Sequence, residues 1–233
     1  MKNYVARIRT GITSPRAWRF SIITLVIVAI IYLGVTQFMS HYPAFKVLFR
    51  DMRPVAQELR YDTPMYTAWF AYLGVFGWWL AGITTSFVGV LARRAGKTRV
   101  SLMMFGFGLF TLFLGADDLF QFHDGYPVRP GSPIHEIHII GFWVLIALVW
   151  GISFLPEILA NRDLPIFIGA VVAFGWSLVT DQTGLRFELQ PLLSEDAAKM
   201  AAITLWAIWG LRLALRNARY EPETPLQNAA NAG

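Results

Sequence analysis

The sequence predicts an all-α integral membrane protein, a bundle of six transmembrane helices in one domain. Of the 233 residues, 55% are hydrophobic and only 15% are charged, whereas soluble domains carry about 25% charged residues. The apolar residues occur in blocks of about 20, the length at which a helix crosses a hydrocarbon core about 30 Å thick. The blocks also lack the polar–apolar alternation of membrane β-strands, so helices are the consistent choice.

The apolar blocks define six spans in chain order. The first follows a basic segment and ends without the small-residue cleavage site of a signal peptide, so we interpret it as a retained helix. The second contains Gly82 and Ser86 at the spacing that lets two helices approach closely. Polar links or turns rich in proline and glycine separate the remaining spans. The predicted spans are 20–39, 66–91, 100–122, 135–155, 165–180 and 195–215.

The segment 41–64, between the first two spans, carries apolar residues at spacings of three and four. This pattern predicts an amphipathic helix lying on the membrane surface, and an ordinary loop is an equally good interpretation. No internal repeat or second domain is visible, so residues 1–220 are expected to form one transmembrane domain. The Ala- and Asn-rich segment 221–233 is predicted to be a disordered tail.

The distribution of basic residues predicts how the chain is oriented across the membrane. Six spans place both termini on one side, and that side carries most of the Lys and Arg, which predicts termini in the cytoplasm and a bacterial inner (plasma) membrane. The basic residues flank the apolar blocks instead of forming one basic domain. We therefore interpret the net charge of +5 as a determinant of membrane topology, and no nucleic-acid partner is expected. Since the chain has no cysteine, disulfides and thiolate metal ligands are excluded.

This topology gathers acids and histidines from the ends of spans three to six at the non-cytoplasmic face. Asp117, Asp118 and Asp181 lie at the carboxyl ends of their helices, where the helix dipole disfavours a carboxylate, so another group should hold them there. Glu136 and Glu195 lie in first turns, where the dipole favours negative charge and already explains them. Ionisable groups in membrane spans indicate a functional site.

A metal site follows from the histidines. His135 and His138 are neighbours on one helical face and can share one ion. Histidine and carboxylate ligands suit zinc, iron or manganese without choosing among them. A metal-free cluster of ion pairs fits the same residues equally well. The predicted ligands are Asp117 or Asp118, His135 and His138, completed by His123, Asp181 or Glu195; His123 joins only if its helix unwinds nearby.

Two functions are consistent with these residues. The first is a metal-dependent membrane hydrolase for a lipid-like substrate that enters from the bilayer, in which the metal activates water and Glu136 or Asp181 acts as general base. The second is a non-catalytic subunit or assembly partner of a larger membrane protein complex, favoured by the small size and small-residue faces. Transport is a third option, although charge inside the spans is expected only in the non-cytoplasmic half.

Overall fold

A computed structural model describes residues 15–41, 68–122, 135–183 and 195–218, and all regular structure in these ranges is helical. Six of the helices are long and apolar enough to cross a membrane, which confirms the predicted helical membrane bundle. The surface helix predicted within 41–64 and the tail 221–233 lie outside the described residues, apart from His41. The helices are α1 (Pro15–His41), α2 (Trp69–Arg94), α3 (Thr98–Phe120), α4 (Glu136–Ser153), α5 (Leu155–Leu159), α6 (Leu164–Thr183) and α7 (Glu195–Ala218).

The short helix α5 was not predicted, and its cause is a proline. Pro156 lies in the first turn of α5. A proline has no backbone N–H and its ring collides with the preceding turn, so α4 cannot continue through it. The backbone leaves the helical conformation at Phe154, and α5 turns the chain toward α6.

The hairpin of α2 and α3 is the most closely packed pair of helices. Gly96 in its turn has a φ of +75°, a conformation that glycine adopts without strain. A Cβ on Gly108 would lie 2.7 Å from the carbonyl oxygen of Gly82, and Ser86 lies against the same point. The predicted close approach at Gly82 and Ser86 is therefore confirmed, with α3 as the partner.

Helix α7 lies at the centre of the bundle, in contact with α1, α2 and α6. It runs in the same direction as α2, since Gly74 of α2 lies against Met200 and Ala81 lies against Gly210. Small residues on α2 thus allow α7 to approach, and the resulting contact forms the core that positions the polar residues at the helix ends.

The core itself is built from aromatic rings. Trp206 of α7 stacks on Phe107 of α3 with ring centroids 4.9 Å apart, and Trp209 lies edge-on to the same ring at 5.1 Å. The indole N–H of Trp206 donates to Thr111 Oγ1 at 3.0 Å. Such contacts each add about 0.5–1.5 kcal/mol beyond the area they bury. These tryptophans therefore pack the interior of the bundle.

Candidate functional site

The predicted site begins in the last turn of α3, where Asp117 and Asp118 follow an apolar run. Asp117 is buried and Asp118 is partly buried. Gly115, one turn earlier, brings α3 against α2, because a Cβ there would lie 2.6 Å from the indole ring of Trp79. This close approach places the carboxylate of Asp118 within reach of side chains on α2 and α7.

Both oxygens of Asp118 are occupied by side chains of neighbouring helices. Trp78 Nε1 of α2 donates to Asp118 Oδ2 at 2.7 Å, and Lys199 Nζ of α7 lies 3.0 Å from Oδ1. The expectation that another group must hold a carboxylate at this helix end is met, and the group is a lysine. Asp118, Lys199 and Trp78 together form the Asp118 cluster.

The two histidines lie at the start of α4, both exposed, with ring centroids 5.6 Å apart. The backbone N–H of His135 donates to His138 Nδ1 at 2.9 Å. An imidazole that accepts a hydrogen bond at Nδ1 carries its proton on Nε2 when neutral, so this cap leaves His138 without a free lone pair. Binding of a metal by His138 would require this hydrogen bond to break.

The other predicted residues occupy different places at the helix ends. Asp181 is exposed in the last turn of α6, and Glu136 is half-buried in the first turn of α4. His123 and the side chain of Glu195 lie outside the described residues. Within 15–41, 68–122, 135–183 and 195–218, no group of three or more His, Asp or Glu residues is suited to holding a metal ion. The predicted metal set therefore stays a prediction.

A second polar cluster, which sequence reasoning missed, lies where α6 begins and α7 ends. Asp163 is fully buried. Its Oδ2 accepts from Arg212 Nε at 2.9 Å and lies 2.8 Å from Arg216 Nη2. Asn161 Oδ1 accepts from Arg216 Nη1 at 2.8 Å and from the backbone N–H of Asp163 at 2.9 Å. These residues are called the Asp163 cluster.

The Asp163 cluster corrects one sequence expectation. Charge inside the spans was expected only at the end away from the termini, but the end that carries them also buries an ion pair. The missed signal was Arg212, which stands between Leu211 and Leu213 inside an apolar span. An arginine in such a position usually has an internal partner.

A third pair links the beginning of α3 to α5. The guanidinium of Arg99 binds the carboxylate of Glu157 and donates to the carbonyl of Ser153 at 2.9 Å. Arg99 also lies over the ring of Phe154, 5.5 Å from its centre. This pair ties the junction of α4 and α5 to the α2–α3 hairpin.

A model of a known protein family matches residues 20–213, which is most of the chain. The chain belongs to this family, described as Domain of unknown function (DUF8692). No curated protein and no solved structure matches the chain. The matched range includes Asp118 with Lys199 and Asp163 with Arg212, so the central pair of each cluster lies within the family domain.

Proposed function

We propose that this protein is a non-catalytic subunit or assembly partner of a larger membrane protein complex. The observation that carries the proposal is the exposure of α4. Trp150 is the single buried residue of this helix. This makes 6% of its span buried, the lowest share among the six spans, against 11% for α1, 17% for α6 and 50% for α3. A span that packs so little against its own chain has most of its surface available to another helix.

The glycines of α4 favour a protein over lipid as the neighbour. A Cβ at Gly141 or Gly151 would have no atom within 4 Å, whereas Gly82 and Gly108 serve close helix contacts. Gly34 of α1 and Gly175 of α6 are open as well, but α4 carries two open glycines on one face. Glycine inside a helix lowers the stability of the helix by about 0.5–1 kcal/mol relative to alanine. Contact with lipid does not compensate for this loss, whereas close packing against another helix does. With Val144 and Leu148, these glycines form a stripe at spacings of three and four, a pattern typical of packed membrane helices.

The polar residues are consistent with this role. Asp118, one of the carboxylates expected to serve chemistry, is engaged by Lys199 and Trp78, so it fastens three helices together. We place the chain in a bacterial inner (plasma) membrane with its termini in the cytoplasm, as the distribution of Lys and Arg predicts. Its partner is then another membrane-spanning helix that lies along α4.

Site-specific photo-cross-linking in the native membrane tests this proposal. A cross-linking residue at Leu148 of α4 (55% exposed) is compared with one at Phe87 of α2 (62% exposed), a helix whose glycines all pack against neighbours. We expect one discrete protein adduct from position 148 and lipid adducts alone from position 87. Gly151→Phe should abolish the adduct by holding the partner away.

Two results would count against a subunit role. One is the absence of any protein adduct at position 148 while the chain migrates as a monomer in mild detergent. The other is equal protein cross-linking at positions 148 and 87, which would indicate random collision in the bilayer.

A metal-dependent hydrolase acting on a lipid-like substrate is the second candidate, and the histidine pair favours it. Two imidazoles that bind one zinc ion with Zn–N bonds of about 2.0–2.1 Å have ring centres about 5 Å apart, close to the 5.6 Å between His135 and His138. Once the hydrogen bond from the His135 backbone to His138 Nδ1 breaks, His135 and His138 would hold the ion with a carboxylate, and the ion would lower the pKa of bound water. Glu136 or Asp181 would accept the proton.

Metal analysis of the purified chain separates the two candidates. A hydrolase should retain zinc, iron or manganese, and the double change His135→Ala and His138→Ala should remove it. Glu136→Gln is the matched control, because it removes a proposed general base and leaves the imidazoles intact, so the metal should stay. A chain without metal before and after the histidine changes would leave the subunit role standing alone.

A further inference from the structure

The Asp163 cluster carries more positive charge than its one carboxylate neutralises. Arg212 and Arg216 both bind Asp163, and Arg162 stands in the turn between Asn161 and Asp163, both of which contact Arg216. Three guanidinium groups against one carboxylate leave an excess of two positive charges. Such an excess in a partly dehydrated place calls for another anion.

Arg212 has hydrogen-bond donors to spare. Its Nε donates to Asp163, while its guanidinium carbon lies 3.7 Å from the centre of the Phe20 ring. Among the described residues, neither Nη atom of Arg212 donates a hydrogen bond. The side chain is 29% exposed, so these donors point out from a guanidinium that Asp163 and Phe20 already hold in place. A fixed planar guanidinium with free N–H groups matches the oxygens of a phosphate.

The depth of the cluster in the membrane identifies the source of the phosphate. Arg212 lies six residues before the end of α7, which is about 9 Å along the helix axis. Helix α7 has 24 residues and is about 36 Å long, which exceeds a hydrocarbon core of about 30 Å by a few ångströms. If α7 is centred on the core, it extends about 3 Å past each boundary, so Arg216 lies where the lipid headgroups begin and the backbone of Arg212 lies about 6 Å inside. The Arg212 side chain spans this depth, since it binds Asp163, the residue that precedes α6.

We infer that Arg212 and Arg216 of the Asp163 cluster, together with the neighbouring Arg162, bind the phosphate of an anionic lipid headgroup. Arg162 comes from the turn before α6, and Arg212 and Arg216 from the end of α7, so one bound lipid would bridge these two parts of the chain. The apolar residues below, including Phe20, would lie along its acyl chains. The inference does not depend on the proposed subunit role, because that role rests on the exposed face of α4 and the arginines lie outside α4.

Native mass spectrometry of the detergent-purified chain tests this inference, with phosphatidylglycerol and phosphatidylcholine added in turn. We expect retention of phosphatidylglycerol at lipid concentrations where phosphatidylcholine is lost. Arg162→Gln should weaken phosphatidylglycerol binding about fivefold, the share of one basic residue near a membrane surface. Arg162 is exposed and binds no described carboxylate, so this change leaves the Asp163 ion pairs intact.

Arg94→Gln is the matched control, since Arg94 is an exposed arginine at the same end of the bundle, outside the cluster. Phosphatidylglycerol binding should be unchanged in this variant. An equal loss in Arg94→Gln and Arg162→Gln would overturn the inference, because it would indicate general surface charge. Equal retention of both lipids would overturn it as well. Displacement of the lipid by millimolar inorganic phosphate would show a free-anion site instead of a lipid site.

Discussion

The two ends of α7 hold carboxylates in different ways. At one end, Asp118 is 15% exposed and binds one lysine and one indole N–H. At the other, Asp163 has no exposed surface and binds two arginines. The same helix therefore contributes a cation to each pair, but in the Asp163 cluster the carboxylate is fully removed from solvent.

The difference shows how burial and partner chemistry go together. A buried carboxylate is tolerated only with a strong, well-oriented counter-ion, and a planar guanidinium satisfies this requirement better than an ammonium group. Lys199 and Asp118 keep some contact with the surroundings, so the cost of removing them from water is smaller. The Asp163 cluster is therefore expected to be the stronger fastening of the bundle.

The largest effect is expected from Asp163→Ala. The change leaves Arg212 and Arg216 partly buried without their counter-ion, and breaking a buried pair in this way costs about 3–5 kcal/mol. Thermal unfolding in detergent, followed by circular dichroism, should show a large fall in the melting temperature. Asp163→Asn keeps the shape of the side chain and one hydrogen-bond acceptor. Its melting temperature should therefore lie between those of Asp163→Ala and the wild type.

The Asp163→Ala result can also contradict the expectation that the Asp163 cluster stabilises the bundle more than the Asp118 cluster. A melting temperature like that of the wild type would show that the two arginines are satisfied by solvent or lipid alone, and that Asp163 does not fasten α6 to α7.

A smaller effect is expected from Asp118→Ala. Lys199 and Trp78 lose their shared partner, and leaving a partly buried donor unsatisfied costs about 1–3 kcal/mol. The same thermal unfolding measurement should show a moderate fall, and adding Lys199→Met should restore part of it, because the lysine no longer needs an anion. No recovery in the double variant would mean that the hydrogen bond to Trp78 carries most of the effect.

The control for Asp118→Ala is Glu157→Gln. Its partner Arg99 is largely exposed, and exposed ion pairs contribute about 0–1 kcal/mol. If Glu157→Gln lowers the melting temperature as much as Asp118→Ala does, the burial of an ion pair does not determine how much it stabilises this protein.

Much of the fold could be predicted because membrane spans are set by local composition. Each predicted span agrees with its helix to within a few residues at either end, and the spacing of Gly82 and Ser86 identified a close contact. The short helix α5 escaped prediction, since the segment 156–164 was assigned to a polar link between two spans. Of the candidate residues that the structure describes, Asp118, His138 and Asp181 lie near helix ends as expected. The partners of Asp118 were not predictable, because Trp78 and Lys199 lie on other helices, 40 and 81 residues away in the sequence.

The sequence by itself determined that this chain is a six-helix membrane protein and that its polar residues gather at helix ends, because the hydrocarbon core requires long apolar helices and excludes unpaired charge. Only the tertiary structure decided that Asp118 pairs with Lys199, that Asp163 is buried between two arginines, and that α4 stays largely uncovered. The physical reason is that ion pairing and burial depend on which helices are neighbours, and neighbours are chosen by side-chain packing across the whole bundle.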